Sequence, residues 1–122
     1  MKTKKRPSTV QRRRMKIVTT PKALITKTEE NEQVKPLFLI MQKKYFDQIE
    51  KGEKIEEYRD DTSFYRSRLL NKAQTAFKRY NTVILQEGYH KGARRMIIEV
   101  KQVTLNNYFT IHLGKILDRQ NF

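Results

Sequence analysis

The sequence predicts an α+β domain that is mostly β, with two short helices, and three observations carry that reading. Apolar residues recur at period two in Met96/Ile98/Val100 and in Phe109/Ile111/Leu113, the alternation of strands with one buried face. The runs Leu37-Phe38-Leu39-Ile40-Met41 and Thr82 to Gln86 are short, apolar or β-branched and of strand length. Only two segments carry helical signals, and both are brief.

The first element follows Pro36, where the apolar run Leu37 to Met41 reads as a buried strand. Lys43 to Lys51 then sets Tyr45, Phe46 and Ile49 on one side at helical spacing, with Gly52 just beyond as a C′ residue. Residues 54–59 read as a charged extended segment. Behind them, the side-chain oxygens of Asp60, Asp61, Thr62 and Ser63 can cap a helix starting near Phe64, whose Tyr65, Leu69 and Ala73 would face the core. Three strands follow, at 82–86, 96–103 and 108–113. The connection between the first two holds Gly88, Tyr89, Gly92 and the basic pair Arg94-Arg95; it is too long for a two-residue turn and is free to fold over a site.

Charge divides the chain unevenly. Lys and Arg number 27 against 13 Asp and Glu, a formal net charge of +14 that favours polyanionic partners. Residues 1–27 hold ten basic and no acidic side chains, which leaves 17 basic and 13 acidic for 28–122. Together with Pro7, Pro21 and the polar stretch Thr28 to Gln33, this predicts a flexible basic arm over 1–35 and a folded domain over 36–122. The arm's clusters Lys4-Lys5-Arg6 and Arg12-Arg13-Arg14 suit contact with nucleic-acid phosphates, or only a solubilising extension.

Several chemistries are disfavoured. The absence of cysteine excludes disulfides, thiolate metal ligation and a cysteine nucleophile. No apolar run approaches the ~20 residues needed to span a bilayer, so the reading is a soluble, cytoplasmic protein with no membrane partner. His90 and His112 lack a metal-ligand spacing, and neither a Walker A loop nor a dinucleotide fingerprint occurs; no metal or cofactor is expected.

The segment Tyr45 to Arg59, a helix followed by Gly52, Lys54, Glu57 and Arg59 in the pattern G-x-K-x-x-E-x-R, resembles the ASCH family. Phe64-Tyr65 with Arg68-Leu69, Gly88-Tyr89, Arg95-Met96 and Phe109 to Leu117 are similar to bacterial and phage members, so the resemblance spans about 36–122. It implies a PUA-like β-barrel and two kinds of activity. One is binding of RNA or a modified nucleoside in a pocket around the motif. The other is hydrolysis, either of N4-acetylcytidine by an amidohydrolase or of RNA by a ribonuclease. In the amidohydrolase branch a threonine stands three residues after the motif lysine; here Glu57 occupies that position.

The residues admit a reading of their own. Lys54 offers a compact cation for phosphate or a carbonyl oxygen, and Arg59 a planar fork for Glu57 or a base. Glu57 can accept from a base amino group, act as a general base, or neutralise Arg59 in a structural ion pair. Lys54 and Glu57 are thus the catalytic candidates if there is catalysis. Tyr58, Phe64, Tyr65 and Tyr89 can offer aromatic faces to an unstacked base, with core packing the leading role for Phe64 and Tyr65, and Arg94 and Arg95 offer cations to phosphate. In a regular strand Lys54 and Glu57 point oppositely, so convergence needs either irregular backbone just after Gly52 or contributions from the two ends of a short strand.

Overall fold

The structure, a computed structural model, describes residues 25–122. Its elements are β1 (Thr28–Glu32), β2 (Leu37–Met41), α1 (Lys43–Glu50), β3 (Glu56–Asp60), α2 (Ser63–Leu69), β4 (Phe77–Arg79), β5 (Thr82–Glu87), β6 (Arg95–Asn106) and β7 (Tyr108–Gln120). The architecture is α+β and mostly β. Five strands form a curled, half-barrel sheet in the order β2-β5-β6-β7-β3, and β1 pairs in parallel with β4 in a separate ribbon.

The helices begin and end where local chemistry dictates. Past α1, Gly52 adopts φ +79° and donates to the Ile49 carbonyl while Glu53 donates to Gln48, the paired bonds of a Schellman cap. At α2 the Thr62 hydroxyl accepts from the Tyr65 amide at 3.2 Å. That helix stops at Leu69, so Ala73 lies in a turn and is exposed rather than core-facing. Tyr45 also departs from expectation. Phe46 and Ile49 fill the buried face of α1, and Tyr45 is turned outward.

Inner-facing residues of the sheet meet those of the helices in one core. Leu37 and Leu39 of β2, Val83 and Leu85 of β5, and Phe109 and Ile111 of β7 pack with Phe46 of α1 and Leu69 of α2. Strands β6 and β7 run well past their expected ends and are joined at Asn107, φ +65°. The register of this pair shifts between Ile97 and Gln102. A shift of this kind exchanges the two faces: even-numbered Met96 and Ile98 are buried toward its start, odd-numbered Val103 and Leu105 after it.

The folded part begins earlier than Pro36. Thr28 to Glu32, expected in the flexible arm, is a strand, and Ile25 is only 3% exposed within the core. The reason is pairing: β1 is laid alongside β4, with Phe77 donating to the Lys27 carbonyl and Gln33 to that of Arg79. The basic clusters assigned to the arm lie outside the described residues. Among the described residues, no helix is long and apolar enough to cross a membrane.

Candidate functional site

The motif residues are brought together by the irregular turn that the Schellman cap creates. Lys54 precedes β3, so it escapes the strand's alternation and reaches Glu57, Nζ to Oε1, at 3.4 Å. Glu57 and Arg59 share the inner face of β3, and Glu57 is 7% exposed. Arg59 donates to Glu57 Oε2 from Nε at 3.2 Å and from Nη2 at 2.8 Å. Both carboxylate oxygens are therefore engaged by cations. Lys54 also donates to the Glu56 carbonyl and sits 4.5 Å from the centroid of the Tyr58 ring.

Arg59 does more than neutralise Glu57. Its Nη2 donates to the Ile40 carbonyl at 3.0 Å, and its Nη1 to the Tyr65 hydroxyl at 2.8 Å. Four of the five guanidinium N–H groups are thus spoken for within the protein. One Nη1 hydrogen has no hydrogen-bond partner among the described residues.

Two clefts flank this clasp. The larger, about 750 Å³, lies against β2 and α2 and is lined by Phe38, Ile40, Arg59, Phe64, Arg68 and Tyr89 among others. The smaller, about 670 Å³, holds Tyr45, Lys54, Glu56, Glu57 and Tyr58. The single pocket expected around Lys54, Glu57, Arg59 and Tyr89 is therefore divided. Arg59 and Tyr89 line one cleft, and Lys54 and Glu57 the other.

Tyr58 is on the outer face of β3, donates to Glu56 at 2.7 Å and meets Tyr108 edge to face at 5.4 Å. The bond to Glu56 holds its phenol above the usual range. Tyr89 stands 86% exposed in the loop after Gly88. Arg95 bonds Gln86 at 2.8 Å and covers the Phe38 ring at 5.4 Å, in a small pocket of about 310 Å³ that also includes Tyr89.

Arg94, expected to meet phosphate, is instead committed to the fold. It pairs with Asp47 at 2.6 Å and Glu87 at 2.8 Å, and its guanidinium lies 4.8 and 5.0 Å from the centroids of the Phe46 and Phe122 rings, which also touch each other. Two carboxylates already supply the anionic partners a phosphate would offer. They raise the guanidinium's pKa, while Arg94 helps hold both carboxyls below their usual range.

The sequence reading missed two members of the larger cleft and misassigned a third. Phe64 is 57% exposed rather than core, and the Arg68 guanidinium covers its ring at 4.8 Å. Their i, i+4 spacing on α2 was the available signal, since such residues share a helix face. Among the described residues Arg68 has no acidic partner, which makes it the freest arginine of the cleft. Phe38 was hidden in an apolar run that reads as wholly buried. No group of His, Cys, Asp and Glu among the described residues is placed to hold a metal ion. No protein family, curated protein or solved structure matches the chain.

Proposed function

We propose that this chain is an ASCH-type domain of PUA-like fold that binds RNA or a modified nucleoside in the larger cleft. The observation that carries the proposal is the lining of that cleft: Phe38, Phe64, Tyr65 and Tyr89 bring aromatic side chains, and Arg68 and Arg59 bring cations, into one space of about 750 Å³. That volume is in the range of small-molecule sites and accommodates a nucleoside with its neighbouring phosphate. Aromatic stacking with adjacent cations is the general means of holding an unstacked base.

In this reading the motif has a supporting role. Lys54 and Glu57 orient Arg59, and Arg59 positions Tyr65 and the β2 edge at the cleft's wall. A ligand-binding loop then comes from Gly88 to His90. Glu57, with both oxygens paired to cations, gives the hydrolase reading no support as a general base at this position.

The test is binding of single-stranded RNA oligonucleotides and of N4-acetylcytidine to the full chain, followed by fluorescence anisotropy and calorimetry. Phe64→Ala and Tyr89→Ala should each weaken binding by about 1–3 kcal/mol, the usual value of one stacked base. Arg68→Ala should reduce the salt dependence as well as the affinity. Unchanged affinity in all three variants would remove the cleft from the account.

A further inference from the structure

The outer face of the sheet carries a second arrangement, sharing no residue with the larger cleft. Strand register places Glu56 of β3 opposite His112 of β7, His112 opposite Gln102 of β6, and Thr110 of β7 opposite Thr104 of β6. Ile111 and Leu113 point into the core, so Thr110 and His112 face outward. The His112 ring is held on both sides. Its Nδ1 lies 3.2 Å from Glu56 Oε2, and its Nε2 lies 3.1 Å from Thr104 Oγ1.

That order of groups has chemical meaning. A carboxylate beside Nδ1 selects the tautomer with hydrogen on Nδ1, which leaves the Nε2 lone pair facing the hydroxyl. A hydroxyl on the base's nitrogen, with the base oriented by a third group, is the general arrangement of an activated nucleophile. Tyr58 donates to the other Glu56 oxygen, Oε1, at 2.7 Å and fixes the carboxylate in turn. His112 and Glu56 retain 29% and 35% side-chain exposure, so a reagent can approach.

We propose that Thr104, His112 and Glu56 form an acyl-transfer site for activated esters. Thr104 Oγ1 attacks the ester carbonyl carbon and its proton passes to His112 Nε2. The adduct then collapses: the bond from carbon to the leaving oxygen breaks, and the alcohol departs with the proton from Nε2. The product is an ester of Thr104. Water then gives a proton to His112 Nε2 and attacks the ester carbonyl, the carbon–Oγ1 bond breaks, Nε2 returns the proton to Oγ1, and the carboxylic acid departs with the hydroxyl restored. Glu56 is a positioning residue. None of the clefts described above reaches Thr104 or His112. An open site of this kind suits esters of acidic alcohols, whose departure needs the least assistance.

The full-length protein would be treated with p-nitrophenyl acetate, release of p-nitrophenol followed, and the acetyl group located by peptide mass mapping. The expected result is acetylation of Thr104, lost in Thr104→Val, kept in Thr104→Ser, and slowed about 10²-fold in His112→Gln. Circular dichroism establishes folding for each variant, and His112→Gln supplies a reading that does not depend on Thr104→Val. Acetyl found only on lysine or tyrosine, an unchanged rate at Thr104 in His112→Gln, or no release above buffer would each overturn the proposal. The measurement uses no nucleic acid, so its outcome is separate from that of the RNA-binding reading.

Discussion

Arg59, on one edge strand of the five-stranded sheet, donates from Nη2 at 3.0 Å to the backbone carbonyl of Ile40 on the other edge strand. Strands β2 and β3 are the two ends of the sheet order, so this side chain spans the seam that the curl leaves open. An open edge ordinarily exposes unpaired backbone groups. Here a guanidinium satisfies one of them, and Glu57, held by Lys54, keeps the guanidinium aimed.

Arg59→Ala should therefore act on stability before it acts on any ligand. It leaves Glu57 buried with only Lys54 to balance it and frees the Ile40 carbonyl, a loss of about 3 kcal/mol. Urea unfolding of the wild type and variant measures it. A cycle with Glu57→Gln should return a coupling of about 1–3 kcal/mol, since the two groups bond directly. Strict additivity would show that the pair is incidental.

Arg94 makes stability depend on acid. Lys43 and Arg94 hold Asp47 below its usual 3.8, and Arg94 holds Glu87 below its usual 4.5. A carboxyl with a lowered folded pKa stabilises the fold fully above its unfolded value and loses that contribution as pH falls through the folded one. The melting temperature should thus fall below about pH 4.5, in the window set by these groups. In Arg94→Met the same fall should be shallower. Parallel curves for the two proteins would assign the acid sensitivity elsewhere.

How much of this was legible in the sequence depended on whether local or tertiary forces decided the outcome. The Schellman cap at Gly52, the Thr62 cap and strand β2 were readable because each rests on a few adjacent residues. The ribbon strand Thr28 to Glu32 was not, because its polar sequence has no strand pattern and its order comes from pairing with β4 some 45 residues on. The shift between Ile97 and Gln102 concealed the true length of β6 by moving its apolar residues from even to odd positions. At the site, alternation showed that Lys54 and Glu57 could meet only through an irregular turn after Gly52 or from the two ends of a short strand, without choosing between them. The division into two clefts did not, since it depends on Arg59 crossing to β2. Arg94 was misread for a related reason: Asp47 is remote in sequence, and only folding of α1 against the loop brings it within 2.6 Å.

Gly52 adopts φ +79°, and a Cβ there would meet nothing within 4 Å. Its replacement should therefore carry only a conformational cost. Gly52→Ala is expected to lower stability by about 1 kcal/mol, with Gly52→Asn milder because asparagine tolerates the left-handed region. Comparable losses in both would indicate a packing effect instead.

The boundary of the folded unit offers a sharper test. Ile25 is buried with Leu37 and Leu70 in the same core, and β1 supplies the backbone partners of β4. Ile25→Ala should destabilise by about 2–4 kcal/mol, the cost of lost burial plus the cavity left behind. Starting the chain at Pro36 removes Ile25 and the whole ribbon partner, exposing the edge of β4. Residues 25–122 should therefore unfold cooperatively near the midpoint of the full chain, whereas residues 36–122 should unfold at markedly lower urea. Equal midpoints for the two truncations would show that the ribbon packs on a domain complete without it.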